Sequence, residues 1–160
     1  MKLTIELVPK TAWYSNVRSN VTKDEWDIIR KKSYKKANYV CEICNDNGKN
    51  QGYNHPVECH EIWEYDDEKN IQKLGGLISL CPKCHKVKHV GLAEINGELD
   101  LVIKHITKVN KITKEEATTS IENAMLTWNM RSQYEWKLDI SYLDDYLIND
   151  NDKFLSMFDG

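Results

Sequence analysis

No stretch of the sequence approaches the ~18–20 consecutive apolar residues that a membrane-crossing helix requires. The opening residues, MKLTIELVPK, carry no apolar run of signal-peptide length. These absences predict a cytoplasmic chain without a membrane partner. An excess of positive charge is missing too: 22 Lys and Arg stand against 25 Asp and Glu, for a net charge of -3. The molecule as a whole is therefore not a basic nucleic-acid binder, and any nucleic-acid surface must be local. Internal repeats and low-complexity blocks are absent. The 160 residues, 41% of them apolar, suffice for one core with additions.

What the chain does have is five cysteines, and four are paired by spacing. Cys41 and Cys44 form one C-x2-C knuckle, and Cys81 and Cys84 form a second. In a reducing compartment such pairs favour metal over disulfide. Two thiolate knuckles complete a closed tetrahedron around one ion, so structural Zn2+ is expected, with a folding role because no coordination position stays open. The string CPKCH (81–85) also matches a haem-attachment motif. The partner knuckle at Cys41 and the lack of an export signal favour zinc.

Around these knuckles the pattern alternates between strand and helix signals. Leu3, Ile5 and Leu7 alternate with polar residues and predict a short strand ended by Pro9. TKDE (22–25) is a capping-box pattern opening a helix, with Trp26, Ile29, Ser33 and Ala37 on one face. Alternation ending at Cys59, His60 and Glu61 predicts a strand, with Trp63 and Tyr65 packing inward or against later helices. Residues 65–70 read as a turn. A second strand spans Ile71 to Leu74 and is broken at Gly75-Gly76. Leu99, Val102, Ile103, Ile106 and Val109 suit an amphipathic helix, with a strand start over residues 99–103 as the alternative, and TKEE (113–116) caps another helix. Trp136, Leu138, Ile140 and Tyr142 alternate as a further strand. The segment from Leu143 is an acidic appendage that Phe154, Leu155 and Phe158 could dock.

A second constellation brackets the second knuckle. His85 and His89 are spaced i, i+4 and share one face of a helix, and Cys59-His60 lies on the preceding strand. Two imidazoles on one face can grip one ion. The segments VECHEI (57–62) and LCPKCHKVKH (80–89) resemble the opening and closing halves of the HNH (His-Me finger, ββα-metal) endonuclease motif, in its zinc-ribbon subtype. The resemblance covers about residues 39–90. It implies that His60 is the general base activating water. It also implies that Cys59, His85 and His89 hold a second divalent metal, Mg2+, Mn2+, Ni2+ or Zn2+, beside a scissile phosphate. Two positions depart from the family pattern. Cys59 stands where Asp or His is usual, a soft donor better suited to zinc than to magnesium. Gly76 stands where the middle Asn, which orients the base, would fall; Asn70 is the nearest substitute.

The expected fold is α+β, a small ββα-metal finger with an embedded four-cysteine zinc site, flanked by N- and C-terminal helices. Its parts are an N-terminal strand-and-helix extension (1–38), the HNH-like module (39–92), a C-terminal helical extension (93–142) and the acidic tail (143–160). The expected function is metal-dependent hydrolysis of DNA phosphodiester bonds, with RNA as a further substrate. Lys83, Lys86 and Lys88, and Lys35 and Lys36 on the first helix, are candidate phosphate contacts that would give affinity without sequence choice; the alternative is that they are ordinary solvated lysines. The alternative is a catalytically silent zinc module that binds a protein or nucleic acid, as in phage counter-defence, with a homo-oligomer as one form. A phage or mobile element is the expected setting.

Overall fold

The computed structural model describes residues 1–147. Within them the fold is mixed α+β, built on a three-stranded sheet with helices packed on it. The central hairpin pairs β1 (Glu58–Asp66) with β2 (Ile71–Leu80) in antiparallel register, His60 opposite Ile78 and Ile62 opposite Gly76. Its turn is closed by the Asp66 carboxylate, which accepts from the amides of Glu68 and Lys69 at 3.0 and 2.9 Å. Asn70 takes a left-handed φ of 54° there, a conformation asparagine tolerates better than most residues. The short β3 (Lys137–Asp139) adds to β2 in parallel.

Both capping boxes form. Thr22 opens α2 (Lys23–Lys36), following the single-turn α1 (Val17–Asn20); its hydroxyl accepts from the Glu25 amide at 3.1 Å while Glu25 accepts from the Thr22 amide at 2.8 Å. After β2 the chain enters α3 (Pro82–Lys88), α4 (Val90–Ile95) and α5 (Leu99–Asn110). Thr113 then caps α6 (Lys114–Arg131) in the same reciprocal way. No helix among the described residues is long and apolar enough to cross a membrane.

Two apolar clusters position the site. One gathers Leu3, Cys41, Leu80, Cys81, Cys84, Val87, Val102, Ile106 and Ala117, so it draws on segments from the N-terminus to α6. The other packs Val17, Ile29, Leu74 and Leu143 on the opposite face of the hairpin, with Trp63 at its edge. Tyr65 leaves that cluster for the Trp136 ring, 5.2 Å away edge to face.

Several expectations need correction. Residues 3–7 form no strand, because no neighbouring strand among the described residues offers a ladder. Instead, the Asn110 side chain takes both backbone groups of Leu3, accepting from its amide at 2.8 Å and donating to its carbonyl at 2.7 Å. Strand β2 does not stop at Gly75-Gly76 but runs through both to Leu80. The register shift between Ile62 and Trp63 absorbs the irregularity, and Gly75 leaves room where the Glu64 side chain crosses, since a Cβ there would lie 2.7 Å from Glu64 Oε1 and push that side chain aside. The strand expected over 136–142 shortens to Lys137–Asp139. Leu143, the expected start of the acidic appendage, is buried at 3% exposure. The docking residues Phe154, Leu155 and Phe158 lie outside the described residues.

Candidate metal centres

The first centre is built by two knuckles of different construction. In one, a left-handed Asn45 (φ 65°) closes a tight turn, with its amide bonded to the Cys41 carbonyl at 3.0 Å. Glu42 ties that turn to β2: its amide donates to the Ser79 carbonyl at 3.0 Å and its carboxylate accepts from the Ser79 amide at 2.7 Å. In the other, Cys81 is the N-cap of α3, and its sulfur accepts from the Cys84 amide at 3.4 Å. Between the knuckles the chain presses on itself at Gly48, where an added Cβ would lie 2.2 Å from the His55 carbonyl oxygen.

The four sulfurs of Cys41, Cys44, Cys81 and Cys84 all lie within 4.8 Å of one another, and Cys44 and Cys81 are 3.6 Å apart. A tetrahedral zinc with ~2.3 Å bonds to sulfur requires S···S edges of about 3.8 Å, so the donor set and its spacing suit that ion. Without an ion, hydrogen bonds among the crowded sulfurs favour the thiolate at Cys41 and Cys81 and the thiol at Cys44 and Cys84; binding of Zn2+ would draw the protons from all four. The four cysteines form a candidate metal-binding site compatible with structural zinc.

The second centre lies where β1 meets α3. One ring nitrogen from each of His60, His85 and His89 lies within 4.8 Å of the others. The Nε2 atoms of His85 and His89 are 3.0 Å apart, and the His60 ring stands edge to face against both, at centroid distances of 5.2 and 5.4 Å. His89 closes α3 as its C-cap, so the i, i+4 pairing expected from sequence survives the helix end. Burial, with His85, His89 and Lys88 as neighbouring positive groups, lowers the His60 pKa to about 2; burial and His85 lower that of His89 to about 4. Both rings are therefore neutral at ordinary pH, the form in which imidazole binds a metal.

Cys59 does not join this cluster. Successive strand residues point to opposite faces, so when His60 faces α3 its neighbour Cys59 faces α2. There the half-buried thiol sits beside the Ser33 hydroxyl, and desolvation raises its pKa to about 11. Glu61 follows Cys59 to that side and accepts from the Val17 amide at 3.1 Å.

The partner on the His60 face is Glu58, two residues earlier, which sequence reasoning passed over. Its Oε1 accepts from His85 Nδ1 at 3.0 Å, and its Oε2 meets His55 Nε2 at 2.9 Å. These bonds lower the Glu58 pKa. A proton held on Nδ1 leaves the Nε2 lone pair of His85 for a metal, the arrangement in which a carboxylate orients a ligating histidine. The signal for Glu58 was the period of two from His60.

Other expected residues separate by burial. Lys88 is buried at 7% exposure, with Nζ 2.8 Å from Glu6 and 3.2 Å from the Thr4 hydroxyl, and Lys86 pairs with Glu98. Lys83, Lys35 and Lys36 are exposed. Asn70 lies in the hairpin turn beyond Asp66, and the six strand residues from His60 to Asp66 alone span roughly 20 Å at ~3.3 Å each. It therefore does not replace the Asn missing at Gly76. Gly76 itself faces Ile62, whose Cδ1 would lie 3.7 Å from an added Cβ.

Comparisons with protein-family models, with curated proteins and with solved structures find no match to this chain.

Proposed function

We propose that the protein is a metal-dependent phosphodiesterase of the HNH type, with DNA as substrate and structural zinc at the four cysteines. The observation that carries this reading is the convergence of His60, His85 and His89, with Glu58 behind His85. An N···N separation near 3.0 Å suits two nitrogens on one small ion, whose tetrahedral edges are about 3.3 Å for ~2.0 Å bonds. A divalent ion held there would acidify a coordinated water and offset charge on a phosphate. In this reading His60 is the third nitrogen donor rather than the general base. Its depressed basicity suits a ligand, and among the described residues no side chain hydrogen-bonds to its ring as a base-orienting Asn would. An all-imidazole set also favours Zn2+ or Ni2+ over Mg2+ and Mn2+.

The test is cleavage of supercoiled plasmid with each of Mg2+, Mn2+, Ni2+ and Zn2+, beside His60→Ala and with metal content measured. Cleavage by the wild type alone, with the second metal lost from the variant, supports both activity and ligand role. A variant that keeps the second metal but loses cleavage returns His60 to the part of base.

A silent binding module is the second reading. It is favoured by Gly76, by the internal pairing of Lys86 and Lys88, and by the net charge of -3. No cleavage with any metal, in protein carrying its zinc, selects it.

A further inference from the structure

His105 belongs to neither metal cluster, yet its Nε2 lies 3.1 Å from Cys84 Sγ. We infer that His105 is a positioning residue of the four-cysteine centre, donating an Nε2–H hydrogen bond to the Cys84 thiolate and so locking α5 onto the metal site. The inference rests on the reading of the four cysteines as a zinc site.

Three observations carry it. First, the ring is placed by its helix: the flanking Val102 and Ile106 are buried at 1% and 0% exposure in the cluster that contains Cys81 and Cys84. The core therefore sets where His105 stands. Second, His105 lies outside the set of donors that are within 4.8 Å of one another, so it touches one edge of the site and does not supply a fifth ligand. Third, the site needs such donors. Four thiolates around Zn2+ carry a net charge of -2, and Cys41, Cys81 and Cys84 are fully buried, where uncompensated charge is costly. Cys81 receives the backbone amide of Cys84 at 3.4 Å. For the Cys84 sulfur the corresponding donor is His105, reaching from a helix 21 residues later in the chain.

A hydrogen bond to a thiolate withdraws charge from the sulfur and lowers its nucleophilicity. It therefore slows both ligand exchange and attack by thiol reagents at that corner. The C-terminal helices and the zinc module are coupled in consequence: loosening α5 exposes Cys84, and removing the metal weakens the hold on α5.

The experiment uses the full chain with its zinc content verified. His105→Phe keeps the ring and removes the donor, and His105→Gln returns an N–H. Zinc transfer to a chromogenic chelator is expected to be about tenfold faster or more in the phenylalanine variant, with the glutamine variant regaining most of the difference. Cobalt substitution should give a four-sulfur spectrum in wild type and variant alike, with a shifted sulfur-to-metal charge-transfer band in the variant. Nitrogen-15 spectra of the wild type should show the His105 proton on Nε2, a readout that needs no variant to fold. Unchanged release, a glutamine variant as labile as phenylalanine, an unprotonated Nε2, or a three-sulfur, one-nitrogen spectrum in the wild type would each overturn the assignment. Protein purified without zinc would instead overturn the site itself, and the assignment with it.

Discussion

Glu58 Oε1 and His85 Nδ1 lie 3.0 Å apart, and that bond fixes which nitrogen of His85 faces His89. A carboxylate in this position sharpens ring orientation and raises ligand basicity. Glu58→Ala is therefore expected to lower affinity for Ni2+ or Zn2+ at the histidine cluster by about 10–100-fold while leaving the cysteine-bound zinc in place. Calorimetric titration of protein already loaded at the cysteines reads this directly. An unchanged affinity would mean that the carboxylate serves the fold alone.

Acid should destabilise the protein through His60. Its folded-state pKa is about 2, against 6.5 for a free histidine. Between those values the unfolded chain binds a proton that the folded chain refuses, so stability falls as pH drops below about 6.5. From well above that value down to pH 5 the loss from His60 alone is about 2 kcal/mol, at 1.36 kcal/mol per pH unit. Urea midpoints at pH 7.5 and pH 5, with the histidine cluster kept metal-free, should show this drop, and His60→Gln should flatten it. Equal slopes for the two proteins would show that the ring titrates as it does in water.

Much of this architecture was legible because its signals are local. Thr22 and Thr113 announced α2 and α6 through capping boxes that form as spelled, and the two C-x2-C knuckles converge as their spacing required. What could not be read was what faces what. Cys59 and His60 are neighbours in sequence, but strand pleating sends one towards α2 and the other towards α3, and it brings forward Glu58 instead. The Leu3, Ile5 and Leu7 alternation promised a strand, but alternation supplies only a face; the ladder needs a partner, and here Asn110 supplies two hydrogen bonds in its stead. His105 carried no signal at all, since its partner Cys84 is reached only through packing of α5 on α3.

The lysines make opposite predictions on opposite sides of the burial divide. Lys88 is buried with its ammonium on Glu6, so Lys88→Ala leaves a carboxylate without its cation. Glu6 is itself half-exposed, which reduces the cost below that of a fully buried pair, to about 1–3 kcal/mol. Lys83→Ala, at an exposed site, should stay within about 0.5 kcal/mol of wild type. Nucleic-acid affinity should follow the other pattern. Replacing Lys35, Lys36 and Lys83 together should weaken binding to any DNA sequence and reduce the slope of log affinity against log salt by up to about 0.9 for each phosphate left without its lysine. A salt slope unchanged by the triple substitution would remove these lysines from the interface.

Cys81 offers a way to separate the metal from the helix it starts. It caps α3 and contributes a sulfur to the four-cysteine centre. Serine is among the best N-cap residues, so Cys81→Ser keeps the cap for the Cys84 amide and deletes only the thiolate. Structural zinc contributes roughly 10–16 kcal/mol to the folding of small zinc-finger peptides, as much as the whole net stability of an ordinary domain, about 5–15 kcal/mol. Cys81→Ser should therefore purify without stoichiometric zinc, lose near-ultraviolet dichroism and melt without a cooperative transition. Treatment of the wild type with a strong zinc chelator should reproduce each effect. Cys59→Ser is the control. Its half-buried thiol sits beside Ser33 on the other face of β1, so the variant should keep its full zinc and lose only about 1 kcal/mol for placing a hydroxyl where the thiol packs. If Cys81→Ser retained zinc and a cooperative melt, the four sulfurs would be neighbours in a core rather than ligands of an ion.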